Sequence, residues 1–96
     1  MSYYVYILYS PGLDRYYVGQ TEDPEKRLEE HNTGFYSGSF TSRATDWEYY
    51  LKIVCPTRHS AIKVERHIKA MRNRRYIEML KRKPEKIELL VFQFNS

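Results

Sequence analysis

The feature that most constrains this chain is a pair of short aromatic and β-branched runs near its start. They are Tyr3 to Ser10 and Tyr16 to Gln20, separated by Pro11-Gly12-Leu13-Asp14. Tyr, Val and Ile suit the half-covered, pleated surface of a strand, whereas Pro-Gly followed by Asp is turn chemistry. The two runs therefore predict a β-hairpin. Tyr4 and Tyr6 are two residues apart and so share one face of the first strand. The ordinary role of tyrosines in such places is packing, with the hydroxyl at the rim, and that is the default for each.

Beyond the hairpin the periodicity changes. Asp23-Pro24 sets a capping carboxylate before a proline at the first helical position, which predicts a helix from Pro24 to about His31. Residues 32–46 are polar and contain two glycines, so they read as an exposed loop of the kind that often carries function. Trp47, Tyr49, Leu51 and Ile53 alternate with Glu48, Tyr50, Lys52 and Val54, the period of a strand, which Cys55-Pro56 ends. Thr57 then caps a helix whose apolar residues Ala61, Val64, Ile68 and Met71 recur at steps of three and four. Tyr76, Met79 and Leu80 add a further helical turn or two. Pro84 opens a last helix with Ile87, Leu90, Val91 and Phe94 on one side, with strand as the alternative for Leu89 to Phe94. The predicted order is ββα, loop, β, then helices.

With 96 residues, 42% of them apolar, the chain has material for one core and not two, so residues 1–96 are expected to form one domain. No basic leader precedes the short apolar run at Tyr3, and no stretch is long enough for a bilayer, which predicts a cytoplasmic protein without membrane partners. Cys55 is the only cysteine, so an internal disulfide and a thiolate metal cluster are excluded. Any metal must rest on oxygen or imidazole ligands.

Charge is unevenly distributed. Residues 1–57 hold five Lys/Arg against eight Asp/Glu, residues 58–83 hold ten against two, and the remainder one against two. A segment this basic attracts polyanions, of which nucleic acid is the commonest for a soluble protein. The plainer account is a solvated helix face.

Two spacings concentrate chemistry. Arg27 and His31 are four apart on the first predicted helix, so their side chains emerge from one face about a turn apart. Glu65 stands between Val64 and Ile68, at the edge of an apolar stripe in a basic stretch. A carboxylate there needs a partner. Either it pairs with a neighbouring Lys or Arg, or it holds a divalent cation; the residues alone favour the ion pair.

These pieces, in this order, resemble the GIY-YIG nuclease family, especially its small members similar to the N-terminal domain of the C component of excinuclease ABC. Tyr4-Val5-Tyr6-Ile7-Leu8 resembles the first motif and Tyr16-Tyr17-Val18-Gly19-Gln20-Thr21 the second. Arg27-Leu28, His31-Asn32, Phe40-Thr41-Ser42, and Ala61 to Glu65 with Ile68-Lys69 follow. The resemblance covers nearly the whole chain. It implies an α+β fold, a small antiparallel three-stranded sheet flanked by helices, with a phosphodiester backbone lying across the hairpin and first helix.

The same resemblance implies roles. Tyr6 would take a proton from the attacking water, Tyr17 would orient water or phosphate, and Arg27 would meet the scissile phosphate with its planar donors. His31 would hydrogen-bond Tyr6 or the phosphate. Glu65 would hold Mg²⁺ or Mn²⁺, magnesium being an ion that keeps several waters and needs few carboxylates. An ordinary phenol, with a pKa of about 10, is a poor base at neutral pH, so nearby cations are expected to lower it.

Departures are local. Tyr4 replaces the glycine of the first motif, and Gln20 stands where some relatives carry a catalytic lysine, leaving Lys26 or Lys69 as substitutes. Asn73 is the offered polar companion of Glu65. Thr41, Arg43, Lys69, Arg72, Arg74 and Arg75 are the expected nucleic-acid contacts, with DNA as the expected partner and RNA also admitted. The leading expectation is a metal-dependent DNA endonuclease acting on structured or damaged DNA, as in repair. A non-catalytic nucleic-acid-binding module and a protein-interaction domain are the alternatives.

Overall fold

The computed structural model describes residues 2–33, 43–71 and 73–95; Phe40, Thr41, Ser42 and Arg72 lie outside the described residues. The hairpin forms as its composition predicts. Strand β1 (Tyr3–Ser10) pairs antiparallel with β2 (Arg15–Thr21), Ser10 opposite Arg15 and Tyr6 opposite Gly19. The turn is closed by the Asp14 amide donating to the Ser10 carbonyl at 2.7 Å, with Asp14 at a φ of 54°. Asp and Asn tolerate that left-handed conformation better than most residues. The Asp46 carboxylate reaches across to accept from the Gly12 amide at 2.8 Å and from the Ser10 hydroxyl.

Helix α1 (Pro24–Asn32) starts as its cap predicts, with the Asp23 carboxylate accepting from the Lys26 amide at 3.2 Å. Strand β3 (Glu48–Cys55) pairs antiparallel with the other side of β1, giving the order β2-β1-β3. A register shift opposite Ile7 and Leu8 bulges β3, so that Leu51 faces Ile7 but Tyr49 faces Leu8. Trp47, expected as the first strand residue, instead precedes β3. Its backbone is engaged by a side chain, with Trp47 N–H donating to Asn32 Oδ1 at 2.7 Å and Asn32 Nδ2 donating to the Trp47 carbonyl at 2.9 Å.

Helix α2 (Arg58–Met71) begins where Thr57 Oγ1 accepts from the Ser60 amide at 3.0 Å. Asn73 caps α3 (Arg74–Arg82) by accepting from the Arg75 amide at 2.9 Å. The last segment, α4 (Pro84–Gln93), is helix throughout. Proline at its first position and the spacing of Ile87, Leu90, Val91 and Phe94 onto one side decide against strand.

The sheet has two apolar faces with different contents. Alternate residues Val5, Ile7, Val18, Ile53 and Cys55 meet Ala61, Val64 and Ile68 of α2, Ile77 and Leu80 of α3, and Leu90 of α4. Each fully buried aliphatic side chain of this set contributes about 1.5–3 kcal/mol. Met71, expected in the α2 stripe, is 43% exposed and stands outside this core. Cys55 is fully buried, and burial pushes its thiol up, so it packs as a small apolar residue. The opposite face gathers Tyr6, Leu8 and Trp47, with Tyr17, Leu28 and Tyr49 against them. Among the described residues no helix is long and apolar enough to cross a membrane.

Candidate active site

The second face of the sheet carries the polar centre. Tyr6 is only 2% exposed because its ring lies over Gly19, the residue directly across the hairpin. A Cβ built on Gly19 would stand 2.5 Å from the Tyr6 hydroxyl oxygen and 2.6 Å from Cζ. Glycine is required here by close approach. The Tyr6 hydroxyl reaches Nε2 of His31 at 3.0 Å, a contact within the interior. Tyr17 completes the group, its ring centroid 6.3 Å from that of Tyr6 and 5.0 Å from that of His31.

Helix α1 brings Arg27 one turn before His31, and the Arg27 Nε lies 4.0 Å from the Glu30 carboxylate. From α2, Glu65 approaches the same tyrosines, and Lys69 follows it one turn later. The Lys69 ammonium is 3.8 Å from Glu65 Oε1 and 5.9 Å from the centroid of the Tyr17 ring. The structure therefore assembles Tyr6, Tyr17, Arg27, His31 and Glu65 from four elements, with Lys69 at the margin.

Electrostatics in this centre run against the expectation of a lowered phenol. Burial pushes Tyr6 up; neighbouring Tyr17 adds to the rise, Arg27 opposes it, and Glu65 reinforces it. Tyr17 is also raised, first by burial and then by Glu65, with Arg27 again opposing. Removing a phenolate from water costs more here than one guanidinium returns. His31 is lowered from its ordinary 6.5, by burial first and by Arg27 next. It is therefore neutral at neutral pH, and in the tautomer that carries its proton on Nδ1 the Nε2 lone pair can accept the Tyr6 proton.

Among the described residues no three His, Cys, Asp or Glu side chains cluster as a metal cage. Glu65 is a single carboxylate whose charge bears on both tyrosines. That donor set does not suit a closed zinc site, and it does fit a hydrated Mg²⁺ held through one protein carboxylate.

An open cleft of about 520 Å³ adjoins the centre, lined by Gln20, Thr21, Lys26, Arg27 and Arg58 among others. Lys26 thus borders the cleft beside Gln20, whereas Lys69 stands over Tyr17. Of the remaining expected contacts, Arg43 is exposed ahead of β3. Arg74 is drawn into a two-pronged pair with Asp14, at 2.8 and 3.2 Å, and its guanidinium lies 5.2 Å from the Tyr16 centroid. Arg75 borders a separate groove with Tyr50, Glu78 and Arg82. Asn73 spends its side-chain oxygen on the α3 cap. Gly19, which seats Tyr6, and Asn32, which fixes Trp47, stand within the motifs quoted from the sequence, but sequence reasoning assigns neither of them a role.

The sequence over residues 2–79 matches the family described as the GIY-YIG catalytic domain. A UPF0213 protein of Syntrophus aciditrophicus is 35% identical over 85 residues, spanning 88% of this chain and 95% of that protein. The solution NMR structure of a UPF0213 protein from Bacillus halodurans is similar with a TM-score of 0.51 at 28% identity, covering 83% of this chain and 82% of the other.

Proposed function

The chain belongs to the GIY-YIG family, and from that membership and the geometry of its tyrosine centre we propose that it is a metal-dependent endonuclease hydrolysing phosphodiester bonds in DNA. The observation that carries the reading is the buried Tyr6 hydroxyl held 3.0 Å from His31 Nε2, with Arg27 and Glu65 near enough for their charges to act on it. A buried phenol with a raised pKa does not accumulate as phenolate. It serves better as a relay, passing its own proton to the neutral Nε2 of His31 as it receives one from the attacking water.

In this scheme the water oxygen bonds to phosphorus and the bond to the 3′ oxygen breaks. Tyr17 holds the water or a phosphate oxygen in place. Arg27 offers its donors to the equatorial phosphate oxygens, where charge grows in the transition state. Glu65 would hold Mg²⁺ or Mn²⁺, which supplies stabilisation of the leaving oxygen when bound. Lys69, paired with Glu65 and 5.9 Å from the Tyr17 ring centroid, would meet a flanking phosphate. The basic segment 58–83 supports DNA as the partner, and a repair role in the cytoplasm belongs to the same reading.

Purified protein is incubated with supercoiled plasmid, branched DNA, single-stranded DNA and RNA plus Mg²⁺ or Mn²⁺. Tyr6→Phe, Arg27→Ala and Glu65→Ala are run alongside. Cleavage abolished by each substitution is expected, and cleavage that survives all three sinks the scheme. Binding without cleavage by the unaltered chain would replace it with a non-catalytic nucleic-acid-binding module.

A further inference from the structure

Strand β2 is an edge strand, and its two consecutive tyrosines serve different faces. Tyr17 packs with Tyr6 and Leu8 on the side of the polar centre, whereas Tyr16 packs with the aliphatic core on the side of α2 and α3. Beside Tyr16 a groove of about 410 Å³ opens between β2 and the α2–α3 corner. Its floor includes Val18, Ile68 and Ile77, and its rim carries Arg15, Lys69 and the Arg74 guanidinium that lies over Tyr16. This is the size and make-up of a small-molecule site, mostly apolar with a few placed charges.

Resting on the nuclease reading, we propose that this groove receives an unpaired nucleoside of the nucleic-acid strand whose backbone crosses the Tyr6–Tyr17 centre. Lys69 links the two places. It lines the groove, and it also stands 3.8 Å from Glu65 and 5.9 Å from the Tyr17 ring centroid. A phosphate beside Lys69 therefore has the Tyr17 side of the centre on one hand and the groove on the other. The charges suit such an occupant: Arg15 adds positive charge to the rim beyond the Arg74–Asp14 and Lys69–Glu65 pairs. A base has an apolar face for Val18 and Ile77, and the Arg74 guanidinium, 5.2 Å from the Tyr16 centroid, borders one end. A paired base is kept out by its own stack. Extrusion is cheapest for a base that is unpaired already, so the groove selects for single-stranded or frayed substrate.

The test uses the whole protein in chelator, where it binds without cutting. Three probes of one sequence are compared: single-stranded DNA, single-stranded RNA, and the DNA as a fully paired hairpin. Backbone amide shifts at Val18, Ile68 and Ile77 are expected with either single strand and not with the hairpin. Ile77→Phe, which fills the groove, should weaken single-strand binding by about tenfold, the scale of one lost base stack, and leave hairpin binding unchanged. If that variant fails to fold, Arg15→Glu on the exposed rim takes its place, with a several-fold weakening expected for single strands. Shifts confined to Tyr17, Arg27 and His31, with both variants binding normally, overturn the groove and leave the nuclease reading standing. Absence of binding to every probe overturns the nuclease reading and the groove together.

Discussion

Replacing Gly19 by alanine puts one methyl group where the Tyr6 ring lies. The new Cβ would be 2.5 Å from the hydroxyl oxygen, 2.6 Å from Cζ and 3.0 Å from Cε1. Ordinary van der Waals contact begins at 3.4 Å, so ring or strand must give by about 0.9 Å at the closest atom. The ring has little room, being 2% exposed and held to His31 at 3.0 Å. Overpacking of this kind costs about 1–3 kcal/mol. In a domain of this size each 1 kcal/mol lowers Tm by roughly 4–8 °C, so a fall of about 4–24 °C is expected in thermal denaturation. Activity should suffer more than stability. A displacement near 1 Å at a catalytic group costs on the order of 100-fold in rate, so plasmid cleavage by Gly19→Ala should fall about that far while the protein remains folded at assay temperature. Full cleavage with an unchanged Tm would refute the claim that the bare α-carbon seats Tyr6.

Four further outcomes are expected. Because His31 is lowered from 6.5 and stays neutral in the fold, the unfolded chain binds more protons below that value; stability should therefore fall as pH drops from about 6.5 through the lowered folded value, and His31→Gln should flatten this slope. The acid limb of cleavage should likewise have its midpoint below 6.5, and a midpoint above it would contradict a neutral His31 as proton acceptor. Asn32→Ala removes the bonds of 2.7 and 2.9 Å to the Trp47 backbone; a loss of about 2–3 kcal/mol in denaturant unfolding is expected, and a loss under about 0.5 kcal/mol would mean that water replaces the amide. Asp14 is held at about 2 by Arg74 and then by the Tyr9 hydroxyl, so Arg74→Ala should raise its midpoint toward 3.8 in a carboxyl NMR titration; an unmoved midpoint would assign the effect to Tyr9.

Much of the fold is legible in the residues, since hairpin, caps and helix spacings are local effects that short segments decide by themselves. A four-residue turn at 11–14 already pairs Ser10 with Arg15, and counting outward brings Gly19 opposite Tyr6. Residue counting alone yields that alignment, but it does not yield the depth of the ring over the glycine. Strand β3 starts one residue later than alternation predicts because a distant amide, Asn32, competes with the neighbouring strand for the Trp47 backbone, a long-range contact that alternation cannot reveal. The order of pKa effects is hidden in the same way: Arg27 is near Tyr6 as expected, yet burial outweighs it, and burial is a property of packing. Arg74 shows the limit of counting charge, since an arginine in a basic run is tied to Asp14 on the hairpin turn.

The amide clamp between Asn32 and Trp47 has an evolutionary consequence. It fastens the end of α1, next to His31, to the residue just before β3, so a contact between positions 15 apart joins the first helix to the sheet. Once the ends are fixed, lengthening such a connection is inexpensive, a doubling costing only about 0.6 kcal/mol in closure entropy. An insertion between these two positions would leave the Asn32–Trp47 contact itself in place, so chains built on this scaffold can differ in length there while keeping the same join between helix and sheet.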